Sequence, residues 1–81
     1  VLVVDDQPLI VEEHCEFLEG SGYESVRCYS SLEAIEHFSN DSAIGIVLCE
    51  LEMPGMKGIE MVETMIMAGG KTDVFEAIML T

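Results

Sequence analysis

Apolar and polar positions fall in blocks along the chain, and the period of the pattern switches back and forth between strand-like and helix-like. Val1 to Val4 is an unbroken apolar, largely β-branched run that stops at Asp5-Asp6, the pattern of a strand buried on both faces. Pro8 suits the first turn of a helix, where its missing N–H costs nothing. From there to Glu19 the spacing predicts a helix with Ile10, His14, Phe17 and Leu18 on one face, closed by Gly20 and Gly22. Ser25 to Cys28 reads as a short second strand. Ser30 and Glu33 form an S-x-x-E capping box ahead of a second helix with an Ala34, Ile35, Phe38 face, ending near Ser39-Asn40-Asp41. Ile44 to Cys49 is a third buried strand that delivers Glu50 at its carboxyl end, followed by the breakers Met53-Pro54-Gly55 and Gly58. Ile59, Val62, Met65 and Ile66 mark a third helix closed by Gly69-Gly70, and Ala77 to Leu80 a fourth strand before Thr81.

Strands alternating with helices at these lengths imply right-handed crossovers and a parallel sheet covered by helices on both sides. In such sheets ligands bind at the carboxyl ends of the strands, which here carry Asp5, Asp6, Glu50 and Thr81. A single acid after a strand is equally explained by starting a turn or capping the next helix. Acids from different strands that reach one sheet edge favour a site. Three carboxylates in a crevice of low dielectric repel one another, and a hard divalent ion relieves that repulsion. Mg²⁺ is held by one or two carboxylates, keeps several waters and takes phosphate oxygens, so the expected site is a Mg²⁺ site open to a phosphate-like group.

Composition narrows the function classes. At 81 residues the chain is at most one small domain, which excludes a two-domain enzyme. Its 49% hydrophobic and 23% charged content is that of a packed domain and not of a disordered acidic tail. Three Lys+Arg against sixteen Asp+Glu leave a net charge of −13, which repels phosphate backbones and anionic lipid, so direct nucleic-acid or membrane binding by this segment is not expected. Cys15, Cys28 and Cys49 lie in apolar stretches without zinc-site spacing and read as buried thiols of a cytoplasmic protein. No apolar run reaches the length of a membrane span, and a strand-like start in place of a basic leader fits the same location. His14 reads as a partly buried helix residue and His37 as a solvated one, neither with a ligand-spaced partner. The methionines read as adaptable packing, and Glu12, Glu13, Glu16 and Glu19 as the wet face of the first helix.

Three segments carry a resemblance: Val3-Val4-Asp5-Asp6-Gln7-Pro8, then Val47-Leu48-Cys49-Glu50-Leu51-Glu52-Met53-Pro54-Gly55-Met56-Lys57-Gly58, then Ile78-Met79-Leu80-Thr81. Over its whole length the chain resembles the receiver domain of a bacterial two-component response regulator. The resemblance implies a flavodoxin-like, doubly wound parallel sheet with strand order 2-1-3-4 and a fifth strand beyond it. Residues 1–81 then correspond to the N-terminal two-thirds of the domain, β1-α1-β2-α2-β3-α3-β4. It implies phosphorylation by a histidine kinase of an aspartate after the third strand, with Mg²⁺ bound beside it. Asp5 and Asp6 match the metal-binding acids, Glu52 the residue that supplies a backbone carbonyl to the metal, and Thr81 the hydroxyl that moves to bond the phosphoryl group.

Two departures follow. Glu50 stands at the phosphoacceptor position, contributing to the metal site, and its extra methylene misplaces the carboxylate for in-line attack. A glutamate there instead extends negative charge toward where phosphoryl oxygens would lie, as an imperfect stand-in for the phosphorylated residue. The family's fifth strand, with a lysine that pairs with the phosphoryl group, would lie after Thr81, and neither Lys57 nor Lys71 fits that role. The expected function is therefore a signalling module rather than an enzyme, whose partners are an output domain, attached or separate, and, less securely given Glu50, a histidine kinase. The alternatives are a receiver still phosphorylated in the acidic pocket and a Mg²⁺-dependent phosphohydrolase, although Asp5-Asp6-Gln7 lacks the D-x-D such enzymes carry. A four-stranded sheet with an open apolar edge is expected to belong to a larger domain, of about 120 residues as the resemblance implies, or to be covered by a second copy in a homodimer.

Overall fold

The computed structural model describes residues 1–41, 43–68 and 76–80. Its elements run β1 (Leu2–Val4), α1 (Pro8–Gly20), β2 (Val26–Cys28), α2 (Ser31–Asn40), β3 (Ile46–Glu50), α3 (Gly58–Ala68) and β4 (Glu76–Leu80). The strands form one sheet, every pair parallel as expected from the alternation of strands and helices, in the order β2-β1-β3-β4 that the resemblance implies. Val4 lies opposite Cys28 on one side and Cys49 on the other, and Glu50 opposite Leu80, so the carboxyl ends of the strands are level with one another.

Side chains on alternate strand positions leave opposite faces of the sheet, and each face has its own core. Val3 packs with Val11 and Cys15 of α1, supported by Leu18 and Leu48. Leu2, Val4, Val47 and Cys49 pack on the other face with Ala34 and Phe38 of α2 and Met61 and Met65 of α3. Three helices thus sandwich the sheet, one on one face and two on the other.

Helix boundaries follow local chemistry. Pro8 begins α1, and Gly22 at φ 91° lets the chain turn back so that Gly22 and Tyr23 donate to the carbonyls of Glu19 and Leu18, closing the helix in a Schellman arrangement. The Ser30 hydroxyl caps α2 by accepting from the Glu33 amide at 3.2 Å, the first half of the capping box read from the sequence. Strand β3 starts two residues later than the apolar pattern suggested and includes Glu50, while Ile44 is buried ahead of it.

The helix faces differ in detail from the sequence reading. Phe17 is 74% exposed, because the buried stripe of α1 is Val11, Cys15 and Leu18 and a residue two positions beyond Cys15 points about 200° round the axis. In α3 the buried residues are Met61 and Met65, with Ile59 and Ile66 more than half exposed on its flanks. Glu12 and Glu19 are not merely wet: Arg27 of β2 donates to them at 2.8 and 2.9 Å, strapping α1 to the edge strand. This pairing is solvated and correspondingly modest in worth. Phe38→Ala should accordingly cost about 3–5 kcal/mol in a urea titration, whereas Phe17→Ala should shift stability by less than about 0.5 kcal/mol. Equal losses would show that the α1 face is wrongly assigned.

Candidate functional site

The acids singled out from the sequence meet at the carboxyl edge of the sheet. Asp5 follows β1 directly and is 4% exposed, Asp6 beside it is exposed, and Glu50 ends β3 half-buried. The register that sets Val4 beside Cys49 brings the residues that follow each of them to the same edge. The Gln7 amide donates to the Asp5 Oδ1 at 2.9 Å, so the buried carboxylate also braces the turn into α1. Burial pushes the Asp5 carboxyl up from its ordinary value. The Gln7 hydrogen bond pulls the other way, and contact with Asp6 and the charges of Asp6 and Glu50 add to the rise. Crowded like charge in a partly desolvated pocket, with only oxygen donors, is the chemistry that suits a hard divalent cation. No three of these carboxylates come within 4.8 Å of one another, an open arrangement compatible with an ion that keeps waters.

The loop after β3 shapes the rim. Gly55 turns at φ 83°, and the Gly58 amide donates to the Leu51 carbonyl at 2.9 Å, drawing the start of α3 against the end of β3. A Cβ on Gly58 would overlap the Glu50 carbonyl oxygen, so only glycine fits there. Ser31, 5% exposed at the start of α2, donates to the Met56 carbonyl at 2.9 Å and ties α2 to this loop. The sequence offered no separate signal for Ser31, since Ser30 alone accounted for the cap. Glu52 is exposed on the rim with Lys57 Nζ 3.9 Å from its carboxylate. Thr81 and Lys71 lie outside the described residues.

A second cluster was not legible in the sequence. Cys28 at the end of β2 and Glu33 and His37 of α2 place a thiol, a carboxylate and an imidazole all within 4.8 Å of one another. His37 is exposed, as expected, but it does have ligand-type neighbours. The spacing rules failed because the three come from two elements and not from one motif. His14 is half-buried, with its Nδ1 lacking a hydrogen-bond partner among the described residues. Cys15, Cys28 and Cys49 are free and buried, as read from their apolar neighbours.

Comparison with known proteins gives a consistent answer. The sequence model described as response regulator receiver domain matches residues 1–81. The chain is 38% identical over 81 residues to the two-component response regulator PprB of Pseudomonas aeruginosa, covering all of this chain and 30% of that protein. It is 30% identical over 60 residues to the polar-differentiation response regulator DivK of Brucella ovis, covering 74% of this chain and 48% of that protein. A response regulator receiver domain protein from Clostridium thermocellum superposes with a TM-score of 0.88 at 27% identity, over 99% of this chain and 62% of that one. The chain thus spans about a third to a half of the curated relatives it matches.

The raised Asp5 carboxyl has a consequence for stability. The folded protein holds this proton more tightly than the unfolded chain, so the group's contribution falls as pH rises from the ordinary carboxylate range through the folded value. Asp5→Asn keeps an oxygen for the Gln7 amide and removes the charge. Without divalent metal, the variant should be more stable than the parent at pH 7 and lose that advantage below the carboxylate range, as followed by thermal unfolding. A variant less stable at pH 7 would mean that burial and the neighbouring charges do not outweigh the Gln7 hydrogen bond at this carboxylate.

Proposed function

The chain belongs to the response regulator receiver domains of two-component signalling, and we propose that within this family it is a degenerate receiver, with Glu50 replacing the phosphorylatable aspartate and acting as a phosphomimetic or phosphorylation-independent binding module. The observation that carries this reading is Glu50 at the end of β3, in a pocket whose buried acid Asp5 already feels its charge. The carboxylate of a glutamate lies one methylene further from the backbone than that of an aspartate, toward the space a phosphoryl group would fill. A carboxylate in that place needs no transfer step to act as a stand-in.

Asp5, Asp6 and Glu50, with the Glu52 backbone carbonyl, would hold Mg²⁺ weakly, and the ion would supply counter-charge to the pooled carboxylates and to any phosphate-like group. Thr81 is the hydroxyl we assign to the switch. On this reading the domain is a signalling part and not an enzyme, and its output is binding to a domain on the same polypeptide or to a separate partner. A histidine kinase is a partner only so far as Glu50 permits. A cytoplasmic location, general for response regulators, belongs to the same proposal; no helix among the described residues is long and apolar enough to cross a membrane.

The test is phosphorylation by a small phosphoryl donor, read as intact mass. The parent should gain no phosphate, and Glu50→Asp should gain one. Phosphorylation of the parent at a rate equal to the variant would overturn the proposal that Glu50 blocks transfer. Glu50→Gln, which removes charge at nearly constant size, should weaken the output of the intact protein without any donor present.

A further inference from the structure

Cys28, Glu33 and His37 form a donor set quite unlike the acidic pocket, and nothing in the signalling chemistry above uses it. Glu33 and His37 are four residues apart, hence neighbours on one side of α2, and Cys28 reaches them from the end of the edge strand β2. The thiol is fully buried, the carboxylate half-buried and the imidazole exposed, so the cluster opens to solvent at its imidazole end. None of the three side chains makes a hydrogen bond or ion pair with another described residue. Ligands of about 2.0–2.3 Å bond length around a tetrahedral ion sit about 3.3–3.6 Å from one another. Donors already within 4.8 Å reach that spacing by small rotations of His37 and Glu33, the two side chains nearest solvent, with Cys28 and the backbone in place.

We propose that Cys28, Glu33 and His37 bind Zn²⁺, with water in the fourth position. One sulfur, one imidazole nitrogen and one carboxylate oxygen are a set that Zn²⁺ accepts in tetrahedral geometry, whereas Mg²⁺ favours six oxygens. On binding, the Cys28 S–H bond breaks, the proton leaves to solvent and an S–Zn bond forms. His37 binds as neutral imidazole and Glu33 as carboxylate, so two ligand charges neutralise the ion. Burial and the charge of Glu33 push the free Cys28 thiol up to about 12, so the metal-free thiol holds its proton at neutral pH and binding must release it. The ion would fasten α2 to the carboxyl end of β2, while Ser31, the first residue of α2, holds the β3–α3 loop through Met56. This proposal does not depend on the role assigned to Glu50.

Titrating Co²⁺ into the reduced, intact protein tests it, because a cobalt–thiolate bond gives a charge-transfer absorption that carboxylates and imidazoles do not. The expected result is saturation of that band with one Co²⁺ per cluster, its loss on adding Zn²⁺, and no effect of a large excess of Mg²⁺. His37→Ala, at an exposed position, should stay folded by circular dichroism and bind at least about tenfold more weakly, as should Glu33→Gln. Cys28→Ser should abolish the band, and Asp6→Asn should leave it unchanged. Absence of the band at excess Co²⁺, or a band unchanged in folded His37→Ala, overturns the proposal. If Cys28→Ser fails to fold, the His37 variant alone decides.

Discussion

The pairing of β1 with β3 in parallel register is the constraint on which the rest of the site depends. Because Val4 and Cys49 are partners and both are buried, the chain cannot slide by one residue without turning every strand side chain to the wrong face. The acids that follow are therefore held to one edge whatever they cost each other. Asp5 is carried furthest into the protein, and its raised carboxyl measures how much the core imposes on the site. The Gln7 amide recovers part of that cost locally, since a buried carboxylate oxygen is kept satisfied while it organises the turn into α1.

A second constraint acts on the opposite side of the pocket. The breakers Met53-Pro54-Gly55 and the bare backbone of Gly58 bring α3 so close to the end of β3 that the Glu50 carbonyl and the first turn of the helix share space no Cβ could enter. Ser31 then bonds the same loop from α2. The backbone around Glu50 is thus clamped by two helices while its side chain is left half-buried and directed by the strand.

Most of the architecture was legible in the sequence because parallel strands buried on both faces announce themselves as apolar runs, and because each helix carries a local start or stop signal. Strand direction and the acids at the carboxyl edge follow from that, whereas the order of strands in the sheet came from the resemblance. What could not be read was azimuth. Phe17, Ile59 and Ile66 are apolar and helically spaced, yet they miss the core because α1 and α3 present narrower stripes, Val11-Cys15-Leu18 and Met61-Met65, than an apolar count suggests. The Arg27 strap and the meeting of Cys28 with Glu33 and His37 were invisible for a related reason. Each joins a strand to a helix across the sheet edge, and no spacing along the chain encodes that distance.

Charge alone gives this chain little discrimination among cations, since a net charge of −13 draws any of them toward its surface. Discrimination has to come from donor chemistry at particular places, and two places differ in kind. The carboxyl edge offers oxygen donors in an open array, a match for a small hard ion that keeps its waters. The flank of α2 offers sulfur, nitrogen and oxygen in a compact one, where a hard ion would have to exchange water for a buried thiol with nothing gained. The two lie side by side at the carboxyl edge, where the Asp5 amide donates to the Cys28 carbonyl at 3.2 Å, and they differ in which side chains they gather. On the proposed assignments a softer ion and a harder ion would each be held by the donors that suit it.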